Sequence, residues 1–363
     1  MIPNAYSITP DSYRSLSDAD LIARIRARKA ELGSRVVILT HHYQRRAVVA
    51  LGDHQGDSYA LCKIGAKASA EYIVFCGVQF MAESAVILAR RDQKVFLPNP
   101  LAGCPMADMA AIDSVYGAWE ELHHLLPGIK VVPIAYMNSA ADLKAFCGRN
   151  DGIICTSSNA DKAFAWGFER GERLFFFPDE HLGRNTANKY GISRDQIFVW
   201  DFNSLPQNRD VDAVRRAKVI VWKGYCHVHS VFQPHHVLQI REQYPGVKIV
   251  VHPECTEDVV ALADSVGSTS HIVKYVEQQP PGSIIAVGTE LNLVDRLSHQ
   301  YPDKKILELA GQTCAMCVNM YRTTLADLAY TLDNVDTLRP MSVDEDVTIH
   351  ARIALERMLA IGG

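Results

Sequence analysis

The chain has 363 residues, 48% hydrophobic and 21% charged, with a net charge of −4. That profile is globular and long enough for two or three domains of roughly 100–150 residues each, and it offers no bulk basic field for nucleic acid or anionic lipid. No apolar run approaches the roughly 18–20 residues of a membrane span, and the N-terminus lacks the basic-then-apolar pattern of a secretory signal, so a cytoplasmic protein is expected.

Residues 15–33 carry Leu16, Leu21, Ile22, Ile25 and Leu32 at helical spacing, which predicts an amphipathic helix capped by Ser17. A β-branched run at 35–44 follows and predicts a buried strand. Further runs predict strands at 72–77, 94–99, 130–136, 152–157, 173–179, 218–224, 248–254, 283–290 and 304–311. Helical stretches separate most of them, so the fold class is α/β with parallel sheets.

The pieces repeat in order. One strand ends in a polar cluster: His41-His42-Tyr43, Tyr136-Met137-Asn138, then His252-Pro253-Glu254. A second piece ends in a small or polar turn: GVQFMAESA, TSSNA, then GSTS with GTE. A last strand runs into a cysteine loop: PNPLAGC, WKGYC, then LAGQTCAMC. From cluster to cysteine the intervals are 63, 90 and 65 residues, which puts an insertion in the second unit around 165–210. Three related α/β units are expected at 35–122, 123–240 and 241–330, between a helical segment at 1–34 and a C-terminal extension with a helix at 331–363. Ligands in open α/β sheets sit at the carboxyl ends of strands, where all of these clusters fall. Three units about a pseudo-threefold axis would aim them at one central junction.

Nine cysteines in a chain without a signal argue against a disulfide framework. Cys62, Cys76, Cys147 and Cys155 sit in apolar runs and are expected in the core, while Cys255 can face either way. Cys104, Cys226 and Cys317 each follow a strand in a Gly- or Pro-containing loop. Three such thiolates suit an iron–sulfur cluster with one iron open as a Lewis acid, and three unrelated buried cysteines would read the same by spacing alone. The CAMC at 314–317 also suits a redox dithiol, and His227 and His229 beside Cys226 keep a Cys/His zinc site open. His41 and Tyr43, Tyr136 and Asn138, and His252 and Glu254 are each spaced by two, so strand alternation would put each pair on one face as acid/base groups. TSSNA and GSTS each open a helix, which suits either simple capping or an anion site for phosphate or carboxylate.

THHYQ (40–44), GDS (56–58), FMAES (80–84), PNPLAGCPMADM (98–109), AYMNS (135–139), CTSSNA (155–160), WKGYCHVH (222–229), HPEC (252–255), GSTS (267–270), GTE (288–290) and CVNM (317–320) together resemble the quinolinate synthase family, over nearly the whole chain. The resemblance implies three αβα domains around a 4Fe–4S cluster on Cys104, Cys226 and Cys317, with Cys314 a neighbour rather than a ligand. It implies condensation of iminoaspartate with dihydroxyacetone phosphate to quinolinate in NAD biosynthesis, with L-aspartate oxidase or aspartate dehydrogenase as functional partner and a monomer or homodimer as the assembly. It implies that His41, Ser58, Asn138, Ser157, His252 and Thr269 contact substrate carboxylates or phosphate. Tyr43, Tyr136 and Glu254 are implied as proton-transfer groups, with Tyr136, His252 and Glu254 both binding and catalytic. His42, Ser84 and Val318 depart from the family's usual Asn or Tyr, Thr and Pro. Rival readings are another iron–sulfur dehydratase on the same scaffold, a non-catalytic iron–sulfur sensor and a zinc-stapled binding protein.

Overall fold

The computed structural model describes residues 9–311 and 313–362. Residues 1–8 of the expected N-terminal segment, Gln312 of the expected third cysteine loop and Gly363 lie outside the described residues.

The apolar runs form strands because both faces of each are covered by helices, which favours continuous β-branched and aromatic sequence. The strands are β1 (Val36–His41), β2 (His54–Gly56), β3 (Tyr72–Cys76), β4 (Lys94–Phe96), β5 (Val131–Tyr136), β6 (Ile153–Cys155), β7 (Arg173–Phe177), β8 (Ile197–Trp200), β9 (Val219–Trp222), β10 (Lys248–Val251), β11 (Ser265–Val266), β12 (Ile284–Gly288) and β13 (Lys305–Glu308). They build three sheets ordered β2-β1-β3-β4, β6-β5-β7-β9-β8 and β11-β10-β12-β13. Each sheet therefore begins with the order second, first, third and then continues with the strand that leads to its cysteine loop, and every pairing is parallel. The middle sheet adds β8 outside β9, in register from Ile197↔Val219 to Trp200↔Trp222. That strand comes from the expected insertion.

Three strands escaped the sequence reading. β2 and β11 span only three and two residues and are partly exposed edges without an apolar run, and β8 is a half-buried edge strand inside the insertion. The repeat register also needs a correction. GVQF follows β3, the third strand of its sheet, as GTE follows β12, whereas GDS, TSSN and GSTS follow the second strands β2, β6 and β11. The equivalent of TSSN in the first repeat is therefore GDS.

The described residues form two compact units. One comprises residues 9–104, Glu290–His299 and Met316–Val343 and contains the sheet β1–β4. The helix Asp18–Leu32, capped as expected by Ser17, packs its Leu21, Ile25 and Leu32 against this sheet and against Leu325, Leu328 and Leu332 of the helix Leu325–Asp333. Thr324 and Asp327 cap that helix reciprocally. The other unit comprises Pro105–Thr289, Gln300–Ala315 and residues 344–362, with the two remaining sheets. Its five-stranded sheet centres on Phe175, Phe176, Phe177 and Trp222, all fully buried. Among the described residues no helix is long and apolar enough to cross a membrane.

Candidate active site

In each sheet the first strand ends in a sharp turn. At the end of β1, His41 Nδ1 accepts the Tyr43 N–H at 3.2 Å and the His41 carbonyl accepts the Gln44 N–H at 3.0 Å. After β10, His252 Nδ1 accepts the Glu254 N–H at 3.3 Å and its carbonyl accepts the Cys255 N–H at 3.0 Å. The same imidazole turn occurs twice. After β5 a hydroxyl does this work, with Ser139 Oγ donating to the Tyr136 carbonyl at 2.7 Å. The turns correct one expectation: Tyr43, Asn138 and Glu254 lie beyond the strands, so a turn, not the pleat, sets their direction.

In the larger unit the turns after β5 and β10 meet. Tyr136 Oη donates to Glu254 Oε1 at 2.5 Å, and His229 Nδ1 lies 2.7 Å from Glu254 Oε2. His229 Nε2 lies 3.1 Å from Thr289 Oγ1, and its ring stacks on His252 at 4.5 Å between centroids. With Nδ1 accepting from the turn, His252 presents Nε2 to Ser157 Oγ at 3.2 Å. Tyr136, His229, His252 and Glu254 are all buried. Burial alone would raise the Glu254 carboxyl, but the His229 and His252 imidazoles, with hydrogen bonds from His229 and Tyr136, pull it down to about 2. Glu254 is thus a carboxylate inside a Tyr–Glu–His–Thr network, an arrangement suited to moving protons in a dry site. Asn138 Oδ1 is buried nearby in sequence with no partner, as a group awaiting a ligand would be.

The hydroxyl residues share one structural position. Ser58 begins the helix Ser58–Lys67, where Asp57 caps by accepting the Ala60 N–H. Thr269 begins the helix Thr269–Gln278 behind the cap Ser268. Ser157 lies in the turn before the helix Ala160–Phe168, where Asn159 Oδ1 accepts the Thr156 N–H at 2.7 Å. All three follow a second strand and lie at or just before the start of a helix, where backbone N–H groups favour anions.

Cys226 follows β9, and its loop depends on a glycine. A Cβ on Gly224 would lie 2.3 Å from the Pro178 carbonyl oxygen, a backbone atom that cannot swing away. Gly224 in turn accepts the Glu180 N–H at 2.8 Å. Cys226, His229 and Glu254 present ligand atoms within 4.8 Å of one another. In the smaller unit, Cys104 follows β4, and the Cys317 N–H donates to Glu290 Oε1 at 3.1 Å. Burial pushes the Glu290 carboxyl up to about 8. Cys104, Cys226 and Cys317 are half-buried, whereas Cys62, Cys76, Cys147, Cys155 and Cys255 are buried. Burial raises the thiols of Cys76, Cys147, Cys155 and Cys255. Cys314 is exposed.

His229 is the functional side chain the sequence reading missed, since it entered only as a zinc alternative. Its signal was its place three residues after Cys226 in WKGYCHVH; its partners, Glu254 and Thr289, are visible only in the fold.

The family model described as Quinolinate synthetase A protein (NadA) matches residues 23–360. The chain is 47% identical over 367 residues to the quinolinate synthase of Acidobacterium capsulatum, covering 99% of this chain and 98% of that one. It is 47% identical over 364 residues to that of Rhodopirellula baltica (96% and 93% covered) and 46% identical over 358 residues to that of Corynebacterium glutamicum (98% and 91% covered).

Proposed function

The chain belongs to the quinolinate synthetase A family, a family of enzymes, and from that premise we propose that it condenses iminoaspartate with dihydroxyacetone phosphate to quinolinate, phosphate and two waters, in NAD biosynthesis. The observation that carries the reading is the buried carboxylate of Glu254 held between Tyr136 and His229. The condensation requires repeated proton removal and delivery, and this network supplies a base with a hydroxyl and an imidazole on its two oxygens.

Cys104, Cys226 and Cys317 would hold a 4Fe–4S cluster. When bound, that cluster supplies a Lewis-acidic iron toward a hydroxyl or carboxylate oxygen. Tyr136 or His229 gives its own proton to a leaving oxygen and is reprotonated by Glu254, which takes a proton from carbon or nitrogen of the substrate. Tyr43 is the second proton-transfer group. His41, Ser58, Asn138, Ser157, His252 and Thr269 bind the carboxylates and phosphate, and the 3.2 Å contact with His252 favours Ser157 over Ser158. Burial of His41, His252 and Thr269 limits hydrolysis of the imine. We read the chain as three repeats over 35–122, 123–240 and 241–330 with flanking segments 1–34 and 331–363. It would work in the cytoplasm as a monomer or homodimer, supplied with iminoaspartate by an L-aspartate oxidase or aspartate dehydrogenase.

The test is anaerobic purification, iron and sulfide quantification, and product analysis with both substrates on one sample. Four irons per chain and stoichiometric quinolinate and phosphate are expected. Cys104→Ala should remove both iron and turnover. A colourless protein that still makes quinolinate would refute the cluster, and an iron-loaded protein that makes none would refute the reaction.

A further inference from the structure

The turn that carries Glu254 is held from outside the proton-transfer network. Asn185 Nδ2 donates to the carbonyl oxygens of Pro253 and Cys255, each at 2.8 Å. These are the residues on either side of Glu254. One amide group therefore spends both N–H bonds on the two carbonyls that bracket the carboxylate.

Asn185 is itself set in a rigid frame. It is buried in the helix Glu180–Lys189, whose first turn is capped by the fully buried Asp179 accepting the Leu182 N–H at 2.7 Å. The same helix carries Gly183, where a Cβ would lie 2.6 Å from Phe176 and 2.7 Å from Val221. The missing side chain lets the helix press onto β7 and β9, so Asn185 is fixed to the core of the five-stranded sheet.

We propose that Asn185 is a positioning residue for Glu254: its amide fork fixes the turn 253–255 so that the carboxylate meets Tyr136 Oη and His229 Nδ1. The inference rests on the reading of Glu254 as a proton-transfer group. Asn185 reaches no reacting group of the network, so its effect passes through the turn. An aspartate would present oxygens to two carbonyl oxygens, and an alanine would leave both carbonyls without their donor.

The test uses the cluster-loaded enzyme with Asn185→Ala and the isosteric Asn185→Asp, each alone and combined with Glu254→Gln. Each single variant should lower kcat about 10- to 100-fold, the scale of sub-ångström misplacement of a catalytic group. KM for dihydroxyacetone phosphate should change less than kcat, because the fork holds the carbonyls of 253 and 255 while the His252 imidazole keeps its own contacts with Ser157 and His229. Amide hydrogen exchange should rise at residues 254 and 255 and not in β5 or β7. In the Glu254→Gln background, either Asn185 change should alter the residual kcat by less than about twofold, since two residues acting as one unit are not additive. Multiplicative losses, a raised KM with kcat intact, or unchanged exchange at 254 and 255 would overturn the proposal. So would the unfolding of both variants, which would make Asn185 structural. If the wild-type enzyme makes no quinolinate, the proposed reaction fails, while the exchange measurement still decides whether Asn185 holds the turn.

Discussion

Tyr136 Oη and Glu254 Oε1 lie 2.5 Å apart although 118 residues of chain separate them. One closes β5 and the other follows β10, so the carboxyl edges of two sheets meet at this bond. Tyr136→Phe keeps the ring and deletes only the hydroxyl. It should lower kcat for quinolinate formation by about 100-fold or more, the range of general acid–base contributions. A buried hydrogen bond to a charged group contributes about 1.5–3 kcal/mol, so the melting temperature should fall by only a few degrees. A loss under tenfold in a saturated assay would remove Tyr136 from the proton path.

His229→Ala deletes one of the two partners of the Glu254 carboxylate and the stacking partner of His252. Turnover should fall by about 100-fold or more. His229→Asn, which can still donate toward Glu254, should restore part of it. Equal losses in the two variants would argue that ring stacking with His252, not the bond to Glu254, is what matters.

His42 is neutral in the fold. Burial, then His41 and Arg296, lower its pKa to about 3, and Arg296 Nη2 donates to its Nδ1 at 3.1 Å. The unfolded chain takes up a proton near pH 6.5 that the folded one refuses until about pH 3. Stability therefore declines as pH falls from 6.5 toward 3, with a slope from this group of at most about 1.4 kcal/mol per pH unit. His42→Asn keeps an acceptor for Arg296 and removes the titration. Urea unfolding of the apoprotein at pH 7, 6 and 5 should show the variant losing less stability than the wild type; parallel curves would contradict this.

Gly224→Ala drives a methyl group onto the Pro178 carbonyl oxygen. The backbone must shift, at a cost of about 2–4 kcal/mol by thermal or urea unfolding, and the loop bearing Cys226 shifts with it. Iron content after anaerobic reconstitution should fall below that of the wild type. Wild-type iron and stability together would show that the turn has slack the geometry does not suggest.

Cys314 is exposed, whereas Cys317 is half-buried and anchored through its N–H to Glu290. Cys314→Ser should retain full iron, and Cys317→Ser should lose most of it. The reverse result would move the ligand by one helical turn's worth of sequence.

The strands with continuous apolar runs, such as VVILTH at β1 and RLFFF at β7, were legible because their burial is uniform. β2 and β11 were not, because an edge strand of two or three residues carries no period. The cysteine and polar clusters were legible as types and positions. Their directions were not, since an imidazole accepting its neighbour's N–H overrides the alternation of a strand. Asn185 was beyond reach: nothing in HLGRNTA announces that one side chain will grip two carbonyls nearly seventy residues on.

The core of the smaller unit joins Leu21, Ile25 and Val36 to Leu325, Leu328, Leu332 and Val335. On the ribosome, the helix Asp18–Leu32 and β1 emerge roughly 300 residues before the helix they pack against. That unit must wait with an open apolar face while the intervening sheets are made. It starts first and stays open until the helix Leu325–Asp333 has been made, so a chain halted before Leu325 would be a natural client for chaperones and proteases rather than a partly working enzyme.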